Sequence, residues 1–151
     1  MLWASIDIHS HYSIALGFSS MNLVTYFLSH PVFLVGAGGA IGSTLRYGFG
    51  YWLGQIATPF QLPIATTTVN ILGSLVLGCI AGGVSDKTQS VYLLLGVGFC
   101  GGFTTFSALS LELVEHLQRG RIGLALLEGS LNLFLGVGAL YGGLWLSQVK
   151  S

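Results

Sequence analysis

Between Val91 and Leu117 the chain is apolar over a stretch long enough to cross a bilayer, which takes about 20 helical residues. In the middle of that stretch stands Gly98-Phe-Cys-Gly-Gly-Phe-Thr-Thr-Phe-Ser107. Hydrocarbon contains no water to replace a lost backbone hydrogen bond, so a spanning helix normally keeps every such bond within itself. Gly98, Gly101 and Gly102, followed by Thr104, Thr105 and Ser107, do the opposite. They invite the backbone to unwind and to leave carbonyls or amides free at membrane depth. Such a segment survives only where it is buried in protein or lines a polar cavity, often one that holds an ion. A channel or transporter is the class of protein that builds one.

Composition narrows the field further. Only 7% of residues are charged, against about 25% in a typical soluble domain, and 52% are hydrophobic. The chain therefore reads as an all-α integral membrane protein. Its 151 residues leave room for roughly four spans and none for a separate soluble domain. A net charge of zero offers no basic surface to nucleic acid. The 23 glycines suit helices packed closely in lipid. Cys79 and Cys100 both fall in apolar spans and read as buried thiols rather than as a disulfide.

Four spans are expected, at about Val32 to Leu53, Pro63 to Val84, Val91 to Leu117 and Ile122 to Leu146, with Gln55 to Leu62, Ser85 to Ser90 and Gln118 to Arg121 as turns. The brevity of the last turn makes spans three and four antiparallel neighbours. Residues 1–30 read as an N-terminal extension dispensable to the four-helix unit of residues 31–151. Met21 opens a run that leads directly into span one, so residues 1–20 read as a tail or as sequence ahead of the natural start. His9 and His11 belong to that tail and are read as solvated, not as a metal site.

Lys and Arg retained on one side normally set the orientation of a membrane chain. Here Lys87 and Lys150 would share one side, and Arg119 and Arg121 the other, while Arg46 lies inside span one. The bias is two against two. A chain that inserts both ways can form an antiparallel homodimer, which is the reading taken; a single orientation set by a partner is the alternative.

Polar residues recur within the spans. Gly38, Gly42, Arg46, Gly50 and Gly54 follow one another at intervals of four, which makes a stripe of small residues with one charge on it. An intramembrane charge marks a functional site by default, and Arg46 reads either that way or as a residue snorkelling to the interface. Thr66, Asn70, Ser74 and Gly78 make a polar face on span two, where Asn70 bonds to a neighbouring helix or faces a pore. In span three, Phe103, Phe106, Ser107, Ser110 and Glu112 follow the glycines. Ring edges are electropositive, so rings, hydroxyls and an Asn amide together can replace water around a small anion. His116, near Glu115, reads as an interfacial residue. No His-Glu-x-x-His, Gly-x-Ser-x-Gly, Cys-x-x-Cys or phosphate-loop pattern occurs, and an enzyme is not expected.

Three motifs stand in order: Gly38-Gly-Ala-Ile-Gly-Ser-Thr-Leu-Arg-Tyr47, Ala65-Thr-Thr-Thr-Val-Asn-Ile-Leu-Gly73, and the glycine break itself. From about Met21 to Leu146 the chain closely resembles the Fluc, or CrcB-like, family of fluoride channels. The resemblance implies a passive fluoride-selective channel of the cell membrane, multi-pass, which lowers cytoplasmic fluoride by efflux. It implies an antiparallel dual-topology dimer with two fluoride pathways and a structural sodium ion held by backbone carbonyls of Gly101 and Thr104. It assigns Asn70, Phe106, Ser107, Ser110 and Glu112 to the fluoride pathway. Arg46, Phe103, Thr105, Leu109 and Glu128 take supporting places. Gly101→Val is expected to disrupt the turn. Two departures stand out: Leu109 occupies the place of a usual second phenylalanine, and Glu128 that of a usual tyrosine or asparagine. The rival readings are a small proton-coupled drug exporter, kept open by Glu128, and a non-conducting subunit of a paralogous heterodimer, favoured by Leu109.

Overall fold

The computed structural model describes residues 23–55 and 64–149, and all regular structure among them is helical. In chain order the elements are α1 (Leu23–Ser29), α2 (Pro31–Gly54), α3 (Ile64–Gly83), α4 (Tyr92–Cys100, wound as a π-helix), α5 (Gly101–Phe103), α6 (Phe106–Gln118) and α7 (Ile122–Gln148). The tail with His9 and His11, the turn at residues 56–63 and Lys150 lie outside the described residues.

Helix α1 falls inside the expected extension and is separated from α2 by His30, whose backbone is extended (φ −66°, ψ 132°). A residue before proline is pushed out of the helical region, and proline then suits the first helical turn. His30 Nδ1 completes the start by accepting from Val32 N–H at 3.4 Å. Between α3 and α4, the Asp86 carboxylate accepts from both the N–H and the hydroxyl of Thr88, at 2.8 and 2.7 Å. These two donors hold the exposed Asp86 carboxyl below its usual range. The turn after α6 closes on Gly120, whose φ of 69° favours glycine. Arg121 N–H returns to His116 C=O at 2.8 Å and Gly120 N–H to Leu117 C=O at 3.0 Å, which reverses the chain into α7.

Among the described residues, three helical stretches are long and apolar enough to cross a membrane: Ile64–Gly83, Tyr92–Gln118 and Ile122–Gln148. The first expected span, α2, has 24 residues and thus length enough, about 36 Å. Its glycines, Ser43, Thr44, Arg46 and tyrosines dilute its apolar character below that of the other three.

Glycines set two close approaches. A Cβ at Gly38 would run into Leu94 C=O, and one at Gly42 into Phe99 C=O and Phe103 N, so α2 lies backbone to backbone along α4 and α5. Helices α3 and α7 form the most extensive pair, closing where Gly78 meets Leu140 C=O and Gly143 meets Leu75 C=O. The expected stripe on α2 is thus used over its first half. At Gly50 and Gly54 a Cβ would meet nothing within 4 Å. Cys79 and Cys100 are both free thiols, the second buried.

Candidate functional site

Thr104 and Thr105 separate α5 from α6, and both are extended (φ −84°, ψ 161° and φ −153°, ψ 120°). In a continuous helix Thr105 N–H would bond to Gly101 C=O, and Ala108 N–H to Thr104 C=O. Both donors are diverted to side chains. Thr105 N–H donates to Asn70 Oδ1 at 2.7 Å. Ala108 N–H donates to the Thr105 hydroxyl at 3.2 Å, which caps α6. The carbonyls of Gly101 and Thr104 thereby lose their helical donors. The carbonyls around them are served: Cys100 C=O by Thr104 N–H and hydroxyl at 2.9 and 3.0 Å, Gly102 C=O by Arg46 Nε at 3.0 Å, and Thr105 C=O by Asn70 Nδ2 at 3.1 Å.

Asn70 therefore grips the Thr105 peptide from both sides. Its second amide hydrogen goes to Asn132 Oδ1 at 2.9 Å. Asn132 in turn donates to Thr67 Oγ1 at 2.9 Å and to Glu128 C=O at 3.1 Å. Each of the two carboxamides has both N–H groups engaged, and buried amides without partners would carry a heavy penalty. The result is a polar column running from the extended segment through α3 into α7.

This column opens on a cleft of about 720 Å³ lined by Gly101, Thr104, Thr105, Phe106 and Leu109 together with Asn70, Ser74 and Asn132. A smaller cleft of about 380 Å³ lies against Arg46, Thr66, Thr105 and Ala108. Phe106 is 80% exposed in the single chain, whereas Leu109 is buried. Ser107 is exposed, with its hydroxyl 3.3 Å from that of Thr105. Ser110 turns its hydroxyl back to Phe106 C=O at 2.9 Å. Phe103 is buried, stacked on Phe99 at 5.6 Å and edge-on to Phe49 at 6.0 Å, and does not line either cleft. Gly101 has ordinary helical angles (φ −63°, ψ −36°), and a Cβ there would meet nothing within 4 Å. Contrary to expectation, then, the turn itself does not demand glycine at this position.

The remaining site residues gather at one end of the column. Thr66 Oγ1 donates to Glu112 Oε1 at 2.6 Å. Glu128 is 1% exposed and lies with its Oε2 3.4 Å from His116 Nε2. His116 is 4% exposed, which corrects its reading as an interfacial residue: the helical turn that exposes Glu115 rotates His116 inward, against α7. Asn132 was not singled out from sequence. Its signal was available in the four-residue step from Glu128, which puts both on one face of α7.

Residues 33–144 match the family described as CrcB-like protein, Camphor Resistance (CrcB). A protein of Hyphomonas neptunium named fluoride-specific ion channel FluC is 43% identical over 119 residues, covering 76% of this chain and 93% of its own length. Proteins of the same name from Novosphingobium aromaticivorans and Thermus thermophilus are 45% and 46% identical, covering 73% and 69% of this chain and 90% and 83% of their own.

Proposed function

The chain belongs to the CrcB-like (Fluc) family, and on that premise we propose that it is a fluoride-selective channel through which cytoplasmic fluoride leaves passively, down its gradient. The observation that carries the mechanism is the grip of Asn70 on the Thr105 peptide. It keeps the backbone open beside a mainly apolar cleft into which Ser74, Thr104, Thr105 and Asn132 bring polar groups, at a depth where an open backbone has no structural use of its own.

The full architecture extends this reading. Helix α2 serves as a fourth span, and the span Tyr92–Gln118 is broken at Thr104–Thr105. Two chains inserted in opposite directions pair through the face that exposes Gly101 and Phe106, in the cell membrane. The carbonyls of Gly101 and Thr104, whose donors have been diverted, suit a hard cation that takes oxygen ligands, and a sodium ion is the structural cofactor of the pair. When bound it supplies a fixed positive charge at the break. The fluoride pathway runs past the Phe106 ring edge, the hydroxyls of Ser107 and Ser110, Glu112 and Asn70, whose two amide hydrogens are held by Thr105 C=O and Asn132 Oδ1 and which serves by keeping the segment open. Arg46, Phe103, Thr105, Leu109 and Glu128 support it.

One observation favours a variant of this reading. Leu109 is buried and presents an apolar wall to the cleft, so a paralogous partner chain that brings a ring to this point would complete the pathway. Fluoride efflux from liposomes loaded with potassium fluoride, read by a fluoride electrode in the presence of a potassium ionophore, tests the proposal. Efflux from the purified chain alone supports the homodimeric channel. Efflux only on mixing with a paralogue supports the heterodimer, and none under either condition refutes the channel.

A further inference from the structure

The end of the polar column holds three ionisable side chains, Glu112, His116 and Glu128, whose charge the fluoride pathway leaves unexplained. Glu128 is almost wholly buried, yet neither of its carboxyl oxygens has a hydrogen-bond donor. Glu112 Oε2 and His116 Nδ1 are likewise buried without partners. Glu112 is the carboxyl that acts on Glu128 and lies one helical turn before His116, and His116 Nε2 approaches Glu128 at 3.4 Å. Two ionised carboxylates facing each other in an apolar interior repel strongly, and a lone buried charge is costly. One proton between the carboxyls turns that repulsion into a hydrogen bond and satisfies two of the orphaned oxygens. A second proton, on the imidazole, balances the charge that remains. Among the described residues no three His, Cys, Asp or Glu side chains are grouped to hold a metal ion.

We propose that Glu112, His116 and Glu128 form a buried proton-binding site that holds two protons at neutral pH and thereby keeps this end of the anion column uncharged. The coupling to flux rests on the fluoride-channel reading; the proton binding does not. The groups facing the site are few. Helix α3 contributes the hydroxyl of Thr66. Helix α6 carries Glu112 and His116, with Glu115 turned outward and paired with Arg119 at 3.2 Å. Helix α7 contributes Glu128, the turn before it carries Arg121, and Arg46 of α2 is bonded to Gly102. Because interacting groups titrate together, the protons leave in steps that belong to the trio and not to one residue. Loss of the first proton makes the site net negative beside the path of an anion. Flux is therefore full at acidic to neutral pH and falls as the pH rises, by about tenfold for ~1.4 kcal/mol of added repulsion.

Infrared spectroscopy reads the proton directly, since a protonated carboxyl has a C=O band that an ionised one lacks. The chain has five acidic residues, and of those described besides the trio, Glu115 and Asp86 are exposed, Asp86 with its carboxyl held low by Thr88. The wild type is expected to show the band at neutral pH and to lose it on alkaline titration, in step with the fall in fluoride efflux. Glu128→Gln, which keeps the size, abolishes the band; Glu115→Gln leaves it. A wild type with no protonated-carboxyl band at neutral pH overturns the proposal, as does a band that survives in folded Glu128→Gln. A band that titrates while efflux stays constant overturns the coupling. The expected band with no fluoride efflux at any pH upholds the proton site and sinks the channel reading instead.

Discussion

Replacing Asn70 with alanine tests whether the open backbone at Thr104–Thr105 is held by this one side chain. The asparagine makes three hydrogen bonds there: one accepted from Thr105 N–H, one donated to Thr105 C=O and one donated to Asn132 Oδ1. Polar contacts between membrane helices average about 0.6 kcal/mol, and intramolecular bonds in general contribute about 0.5 to 1.5 kcal/mol. Loss of all three should then cost ~2 to 4.5 kcal/mol. The effect is also local. Without Asn70 Oδ1, Thr105 N–H has either no partner or its helical one, Gly101 C=O, and in the second case the extended segment rewinds. Asn70→Asp keeps the acceptor for Thr105 N–H but turns both donors into acceptors, facing Thr105 C=O and Asn132 Oδ1. It should be the more damaging of the two, in stability and in flux.

Two assays give the answer. Reversible unfolding in detergent micelles measures the loss of stability, and hydrogen exchange at the Thr105 amide reports on the segment itself. The expected order of stability is wild type, Asn70→Ala, then Asn70→Asp, with fluoride efflux lost in both variants. If Asn70→Ala lies within about 0.5 kcal/mol of wild type, the usual range for substitutions that touch nothing, and keeps its Thr105 protection, the side chain does not hold the segment open. Its place in the column would then concern the anion alone.

Gly42→Val should prevent folding, because its Cβ would meet Phe99 C=O and Phe103 N in backbone that cannot move aside, whereas Gly101→Ala should fold normally and, if it fails, should fail in dimer assembly measured by crosslinking. Leu109→Phe should raise efflux from the homodimer, provided that the cleft accommodates the ring, since overfilling costs about 1–3 kcal/mol; fast wild-type efflux that it leaves unchanged would make a second ring dispensable. Replacing sodium with a bulky organic cation should weaken the dimer, an effect read by crosslinking yield and absent if Gly101 and Thr104 hold no cation. Two lysines added within residues 85–90 should bias insertion one way and two added near Gln118 the other, each variant being inactive alone and active on co-expression.

Local signals in the sequence were enough to place the helices. Apolar runs located the helix α2, the helix α3, the stretch α4–α6 and the helix α7 to within a few residues, because lipid leaves a spanning backbone little choice. The sequence points to an opening across Gly98–Ser107, whereas the glycines are helical and the extended backbone is confined to Thr104 and Thr105. What holds that segment was not legible. Asn70 and Asn132 lie 62 residues apart and Asn70 and Thr105 lie 35 apart, and nothing in any one span says that its amide will be spent on another span's peptide. His116 illustrates the same limit from the opposite direction. Its place near the end of α6 argued for the interface, yet a helix end beside a tight glycine turn packs against the helix that follows. The Gly120 turn brings α7 back at once, and with it Glu128, so His116 is covered where an isolated helix would leave it wet. A charge pattern read along the chain treats Glu112, His116 and Glu128 as three unrelated residues. Only the fold brings the His116 imidazole within 3.4 Å of the Glu128 carboxyl, one helical turn from Glu112.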